Sequence, residues 1–389
     1  MEHTPIIVYL MFLIFTGTAI LATVALLTHQ SLLIAYIVLG AIMGPWGLKL
    51  INDSTIIQQT GDIGIIFLLF LLGLDLQPQN LFHSLRKMSI IALCSSLLFF
   101  ATGLTVCWFL GYSANECSLL GIIAMFSSTI IGIKLLPTTI LHHQHTGGLV
   151  VSILLIQDII AIAVLFGLNL ITNHTSMLHL IAMIGAFPVL MAIAYLSQKY
   201  ILSWLIARFD QVHEYIFILS IGWCLCLTEL SYAMGLSQNI GAFIAGISLA
   251  SHPIANYITE SLKPLRDFFL IVFFFSICAT FSFQYFHHII IAASIFAGVM
   301  LISKPIIFHW LLRYVGEIKP VCWEIGVRLG QMSEFSLLVI YLAFDTHLLQ
   351  PETAYMAEAA IILTFVVSCY WTVLKYPTPL ATRKRLRRD

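Results

Sequence analysis

Apolar blocks of about 17–25 residues, each long enough to cross a bilayer core, follow one another along almost the whole chain. In hydrocarbon every backbone N–H and C=O must be bonded within the protein, so blocks of this length become helices. Only 9% of the 389 residues are charged, against about 25% in a soluble domain. The chain therefore reads as an all-α polytopic membrane protein with about 13 transmembrane helices. The expected spans are 5–27, 31–48, 61–77, 88–111, 116–137, 147–171, 178–200, 213–234, 236–252, 265–283, 287–312, 322–344 and 353–375. A tight turn at Gly235 separates the eighth span from the ninth. Glu2 and His3, with no Lys or Arg, precede the first block, which is read as an uncleaved span and not as a signal peptide.

Charge placement orients these spans. An odd span count puts the two ends on opposite sides. With the C-terminus in the cytoplasm, 15 of the 18 Lys and Arg fall on that side, from Arg86 and Lys87 to the run Arg383–Arg388. Lys49 falls outside, and Lys304 and Arg328 lie within spans. The positive-inside rule then gives an outer N-terminus and a cytoplasmic C-terminus in a cell (inner) membrane. The basic tail reads as an anchor to anionic lipid, not as a nucleic-acid site. About 14 residues follow the last span, so no cytoplasmic nucleotide-binding domain is expected.

Short matches recur seven spans apart. Gly40 and Gly44 in span 2 resemble Gly241 and Gly246 in span 9, and all four fit small-residue helix packing. Asp62 before an apolar run in span 3 resembles Asp267 in span 10. Ser127, Ser128 and Thr129 in span 5 fall opposite Met332, Ser333 and Glu334 in span 12, at the same offset of 205 as the aspartates. Seven is odd, so the copies have opposite orientation. Inverted repeats of this kind are a mark of secondary transporters.

Against this apolar background the ionisable residues stand out. Asp158 lies in the run Gly148–Leu170. A carboxylate at mid-membrane costs roughly 2.5–3.5 kcal/mol to insert, and is retained where it faces protein or water on a proton or ion pathway. Such a group can hold a proton or a cation, alternately. The amide of the adjacent Gln157 can give an oxygen to a dehydrated cation or make an interhelical hydrogen bond. Two spans carry small and polar residues at mid-depth: Ser127, Ser128, Thr129 and Gly132 in one, and Gly330, Gln331, Met332, Ser333 and Glu334 in the other. These are expected to be broken helices, whose freed carbonyls and half-helix ends can coordinate a cation. Lys304, inside the run Ile295–Leu312, is expected to pair with Asp158, and Glu334 to support the second break.

Other polar features carry less. The eight cysteines are scattered through apolar segments, and Cys224 and Cys226, two apart, point to different helix faces, which reads as packing. His142, His143, Gln144 and His145 sit in a loop with no adjoining acid or cysteine. Glu229 lies near a span end, as a vestibule residue does. No cofactor, and no metal beyond a transported ion, is expected.

The motifs Phe70–Asp75, Ser127–Thr129, Gln157-Asp158, Gly235–Gly246 and Gly330–Phe335, in this order, resemble the Kef-type, monovalent cation:proton antiporter-2 family over about residues 30–375. The resemblance implies an NhaA-like inverted-repeat fold with two discontinuous crossing helices. It implies a core part at about 88–171 and 287–375, a dimerisation part at about 1–77 and 213–283, and a linker helix at 178–200. It further implies a homodimer and elevator-type exchange of protons for K⁺ or Na⁺, with a single buried carboxylate, Asp158. Gln157 stands where electrogenic relatives carry a further Asp, the usual mate of the Lys at Lys304, which points to electroneutral exchange. Many Kef-type proteins carry a cytoplasmic nucleotide-binding regulatory domain; with about 14 residues after the last span, the place left for such regulation is a separate regulatory subunit acting in trans. Two rival readings are a gated K⁺ channel, for which no continuous filter is visible, and an organic-anion symporter, which should carry more cations near the breaks than Lys304 and Arg328. No constellation for an enzyme is placed at depth.

Overall fold

A computed structural model describes residues 6–28, 32–45, 47–50, 54–75, 85–136, 140–172, 177–209, 212–250, 252, 254–280 and 285–378. The regular structure of these residues is helical. In chain order the helices are α1 Ile6–Leu27, α2 Leu32–Met43, α3 Ser54–Asp75, α4 Leu85–Phe109, α5 Ala114–Ala124, α6 Thr129–Lys134 and α7 Ile140–Thr172. Then come α8 Met177–Ser197, running through a π-helical turn at Gln198–Leu202 into α9 Ser203–Phe209, and α10 His213–Ala233, α11 Gln238–Ala250 and α12 Ala255–Thr280. The last four are α13 Phe286–Tyr314, α14 Lys319–Arg328, α15 Glu334–Asp345 and α16 Pro351–Lys375. Gly235 makes its turn at φ +81° between α10 and α11, a conformation that costs glycine little.

Among the described residues nine stretches are long and apolar enough to cross a membrane. The apolar helices α2 and α11 are shorter, at 12 and 13 residues. α12 falls outside the nine because Glu260, Lys263, Arg266 and Asp267 crowd its first half. Expected spans 5 and 12 are each two helices, α5 with α6 and α14 with α15.

The chain divides into two compact units. One comprises Met1–Gly17, Leu39–Phe82 and Phe166–Thr280; the other Thr18–Val38, His83–Leu165 and Phe281–Asp389. The first unit is packed through glycines. A Cβ on Gly246 of α11 would lie 2.1 Å from the Phe70 carbonyl of α3, and one on Gly40 of α2 would lie 2.4 Å from the Phe275 carbonyl of α12. Phe70 and Phe275 are 205 residues apart, the offset of the sequence repeat. Backbones this close gain dispersion energy that larger side chains would block, which drives association where lipid offers no hydrophobic contrast.

The second unit is locked by polar contacts. Glu116 at the start of α5 accepts the Ser113 N–H and hydroxyl in a capping box and the Thr353 hydroxyl of α16 at 2.6 Å. At the far end of α14, Arg328 binds Glu324 at 2.8 Å and donates to the carbonyls of Leu135 and Pro377, closing the C-terminus of α6.

Candidate ion-binding site

Both breaks follow one backbone plan. α5 stops at Ala124, and Met125, Phe126 and Ser127 lead to Ser128, which caps α6 with φ −68°, ψ 119° and accepts the Ile131 N–H on its hydroxyl at 3.2 Å. α14 stops at Arg328, and Leu329 to Met332 lead to Ser333, which caps α15 with φ −112°, ψ 155° and accepts the Phe335 N–H at 3.1 Å. A serine cap satisfies an N–H that a new helix start leaves bare. Ser128 and Ser333 are 205 residues apart. The cap pair therefore stands at the repeat offset.

The breaks touch and satisfy each other. The Ser127 hydroxyl donates to the Leu329 carbonyl at 2.9 Å, and the Gln331 amide to the Ser128 carbonyl at 3.4 Å. The Ser336 hydroxyl donates to the Ile123 carbonyl at 2.6 Å. From α16, Thr364 accepts the Met332 N–H at 3.1 Å and Ser368 donates to the Gln331 side-chain oxygen at 2.8 Å. Lys304 of α13 lies under both breaks. Its Nζ donates to the Phe126 carbonyl at 2.5 Å and the Gln331 carbonyl at 3.1 Å, with Ser127 Oγ at 3.4 Å and the Phe99 ring 4.9 Å away. One cation thus serves carbonyls freed where α5 and α14 end, the negative poles of both half-helices.

The carboxylates lie at the opposite poles. Thr129, the first residue of α6, donates its hydroxyl to the Asp158 carboxylate, 3.0 Å from either oxygen. Glu334, the first residue of α15, accepts the Ile130 N–H of α6 on Oε1 at 3.3 Å. Its Oε2 is buried without a hydrogen-bond partner. Asp158 and Glu334 thus bind consecutive residues of α6, Thr129 and Ile130. The two carboxylate oxygens of Asp158, the Thr129 hydroxyl and the open Oε2 of Glu334 make a buried set of oxygens at the start of the two second half-helices.

A family model described as sodium/hydrogen exchanger, transmembrane, matches residues 10–374. The chain belongs to the sodium/hydrogen exchanger transmembrane family. Among curated relatives, K(+) efflux antiporter 6 of Arabidopsis thaliana is 28% identical over 357 residues, covering 87% of this chain and 58% of that protein. The glutathione-regulated potassium-efflux system protein KefC of Salmonella arizonae is 28% identical over 388 residues, covering 93% and 59%. The chain thus spans about three-fifths of the length of these relatives. The sodium proton antiporter MjNhaP1 from Methanocaldococcus jannaschii at pH 8 shares the fold, with a TM-score of 0.69 at 17% identity over 94% of this chain and 96% of that one. The Kef-type resemblance read from the motifs agrees with these matches.

In this exchanger-family chain Ser127, Ser128, Thr129, Gln157, Asp158, Lys304, Gln331, Ser333 and Glu334 are all buried, and all nine lie in the second unit. Two expectations about these residues change. Lys304 is bonded to break carbonyls and not paired with Asp158. An ammonium group offers three donors, and two ended helices supply concentrated carbonyl charge nearby. Of the two roles read for Gln157, the structure shows the hydrogen bond between helices: its oxygen accepts the Ser127 N–H at 3.2 Å, and its Nε2 has no partner. Asp158 is not the single buried carboxylate, because the fold brings Glu334 across to α6.

Other polar groups fall elsewhere or were missed. Glu229 is exposed, and Cys224 is buried while Cys226 is exposed, on different faces as expected. His145 meets Glu317 at 2.9 Å, an acid distant in sequence. The side chains of His142, His143 and Gln144 and the basic stretch Arg383–Arg388 lie outside the described residues. Sequence reasoning passed over Thr364, Ser368 and Ser336, which complete the breaks. The signal for the first two was the i, i+4 spacing of Thr364 and Ser368 within the apolar stretch Ala359–Val367 and its continuation.

Proposed function

We propose that this chain is a cation/proton antiporter in which Asp158 holds a proton and a monovalent cation by turns. The observation that carries this reading is Asp158 in a buried oxygen cluster, with Thr129 and Glu334, where two broken helices meet. With Asp158 ionised, the oxygens of Asp158, Thr129 and Glu334 take the cation. When a proton binds Asp158, the carboxylate loses its charge and the cation leaves. An empty, ionised Asp158 is costly to move through a low-dielectric core, which couples the two fluxes.

Exchange is one for one and electroneutral. Asp158 with a monovalent cation and Asp158 with a proton carry the same net charge. Lys304 is held by two carbonyls and stays out of the proton count. The transported ion is K⁺ or Na⁺, and the names of the potassium-efflux relatives favour K⁺. The protein acts as a homodimer in the cell (inner) membrane with thirteen crossings, its N-terminus outside and its C-terminus in the cytoplasm. The core part at about 88–171 and 287–375, which holds the breaks, moves as an elevator, while the dimerisation part at about 1–77 and 213–283 stays fixed, with 178–200 as linker.

The test uses purified protein in proteoliposomes with an internal pH dye, an imposed proton gradient, and K⁺ or Na⁺ added in turn. The expected result is a cation-dependent pH change that Asp158→Asn abolishes and that an imposed voltage leaves unaltered. No pH change with either ion, or a mutant as active as wild type, would overturn the reading.

A further inference from the structure

A carboxylate that the site does not use lies within the membrane on α16. Glu358 is half-buried, eight residues into a helix otherwise apolar from Ala359 to Leu363. Its neighbours one turn either way, Ala354 and Ile361, are buried apolar residues, as is Phe365 two turns on. Among the described residues it has no hydrogen bond or ion pair. One turn earlier lies Tyr355, whose ring stacks on Tyr285 at the head of α13 at 5.5 Å between centroids. Among the described residues no charged side chain of α5, α13, α14 or α15 forms an ion pair with it. A lone carboxylate at membrane depth costs stability unless it lines a route for protons or ions.

Its height matters. At a 1.5 Å rise per residue, Glu358 sits about 10 Å along α16 from Pro351 and about 9 Å before Thr364. Thr364 holds the second break through the Met332 N–H. Glu358 therefore stands midway between one end of the helix and the level of the second break.

We propose that Glu358 is a proton relay between that face of the membrane and Asp158. The inference rests on the antiport reading above. A cation stripped of water needs several oxygens at once, and Glu358 has no hydroxyl, amide or carbonyl group bonded beside it. A proton needs one oxygen. The proton passes from bulk water to the Glu358 carboxylate, and from the carboxylic acid through intervening water to ionised Asp158, leaving Glu358 ionised again. By the orientation proposed above, the face served is the outer one.

Two readouts test this. The first is independent of transport. The intact protein in liposomes is treated with dicyclohexylcarbodiimide, which attacks protonated carboxyls, and modified peptides are mapped by mass spectrometry between pH 6 and 9. The relay requires labelling at Glu358 that declines as pH rises; no labelling, or labelling constant across that range, would overturn it. The second compares exchange by wild type, Glu358→Gln and Glu358→Asp, all checked for monodispersity and thermal stability. The relay predicts that Glu358→Gln lowers the maximal rate about tenfold with the cation KM unchanged. It also predicts the larger loss when protons are supplied from the α16 N-terminal face, and partial recovery in Glu358→Asp. A loss of stability with KM and rate altered equally from both faces would mark a structural role and end the proposal. If wild-type protein exchanges nothing, the antiport reading and the relay fall together. If wild type exchanges and Glu358→Gln matches it from both faces, only the relay falls.

Discussion

After the capping serine of the first break comes Thr129; after that of the second comes Glu334. The two breaks otherwise share a plan: a half-helix, a short link, a serine cap in extended conformation and a second half-helix. The repeat supplies two equivalent crossings, and one substituted position supplies the asymmetry. Thr129 binds the Asp158 carboxylate, whereas Glu334 reaches over to the opposite half-helix and leaves one oxygen open. A symmetric scaffold can thus hold a one-ion site if charge is placed on one copy only. Lys304, which bonds to both breaks, serves the shared part of the plan and not the asymmetric part.

Mutations separate these two layers. The largest effect is expected from Lys304→Met, which leaves the Phe126 and Gln331 carbonyls buried and unmet. At about 1–3 kcal/mol for each unsatisfied group, the loss should be about 3 kcal/mol, read as a fall in unfolding midpoint in detergent. Both breaks should loosen together, seen as raised hydrogen exchange at 125–128 and at 329–333. Protection lost at one break alone would show that Lys304 is not their common anchor.

Glu334→Gln comes next. It keeps an acceptor for the Ile130 N–H but removes the charge beside the cation, so cation affinity should fall about tenfold, or about 1.4 kcal/mol, with stability little changed. Equal affinity in mutant and wild type would return Asp158 to being the only acid of the site. Smaller still, Ser128→Ala and Ser333→Ala should each cost about 1 kcal/mol of stability, the usual value of a helix cap. The comparison demands that the two costs agree. A clear inequality would mean that the caps are not equivalent copies.

Much of the fold was legible because hydropathy operates at the scale of whole helices. Apolar blocks marked the helices, and the clusters at Ser127–Thr129 and Gly330–Glu334 marked the breaks, since small and polar residues at mid-depth are tolerated only where backbone lines a polar interior. The glycine pairs announced close packing because no other residue permits it. What stayed hidden were bonds between residues far apart in the chain. Lys304 meets Phe126 across 178 residues and Glu334 meets Ile130 across 204, and no local pattern encodes either. A buried lysine suggests an acidic mate by Coulomb's law, yet ended helices offer enough carbonyl charge to replace one. Gln157 was readable as polar at depth, but which end of its amide is free depends on the Ser127 N–H that it meets.

The central claim is that a proton and a cation compete for Asp158. The most direct measurement adds K⁺ or Na⁺ to purified protein in nearly unbuffered detergent solution and follows the pH. Competition predicts that the cation releases protons from wild-type protein, up to about one per chain at saturation, and that Asp158→Asn releases none. Cation binding without proton release, or release undiminished in Asp158→Asn, would contradict it.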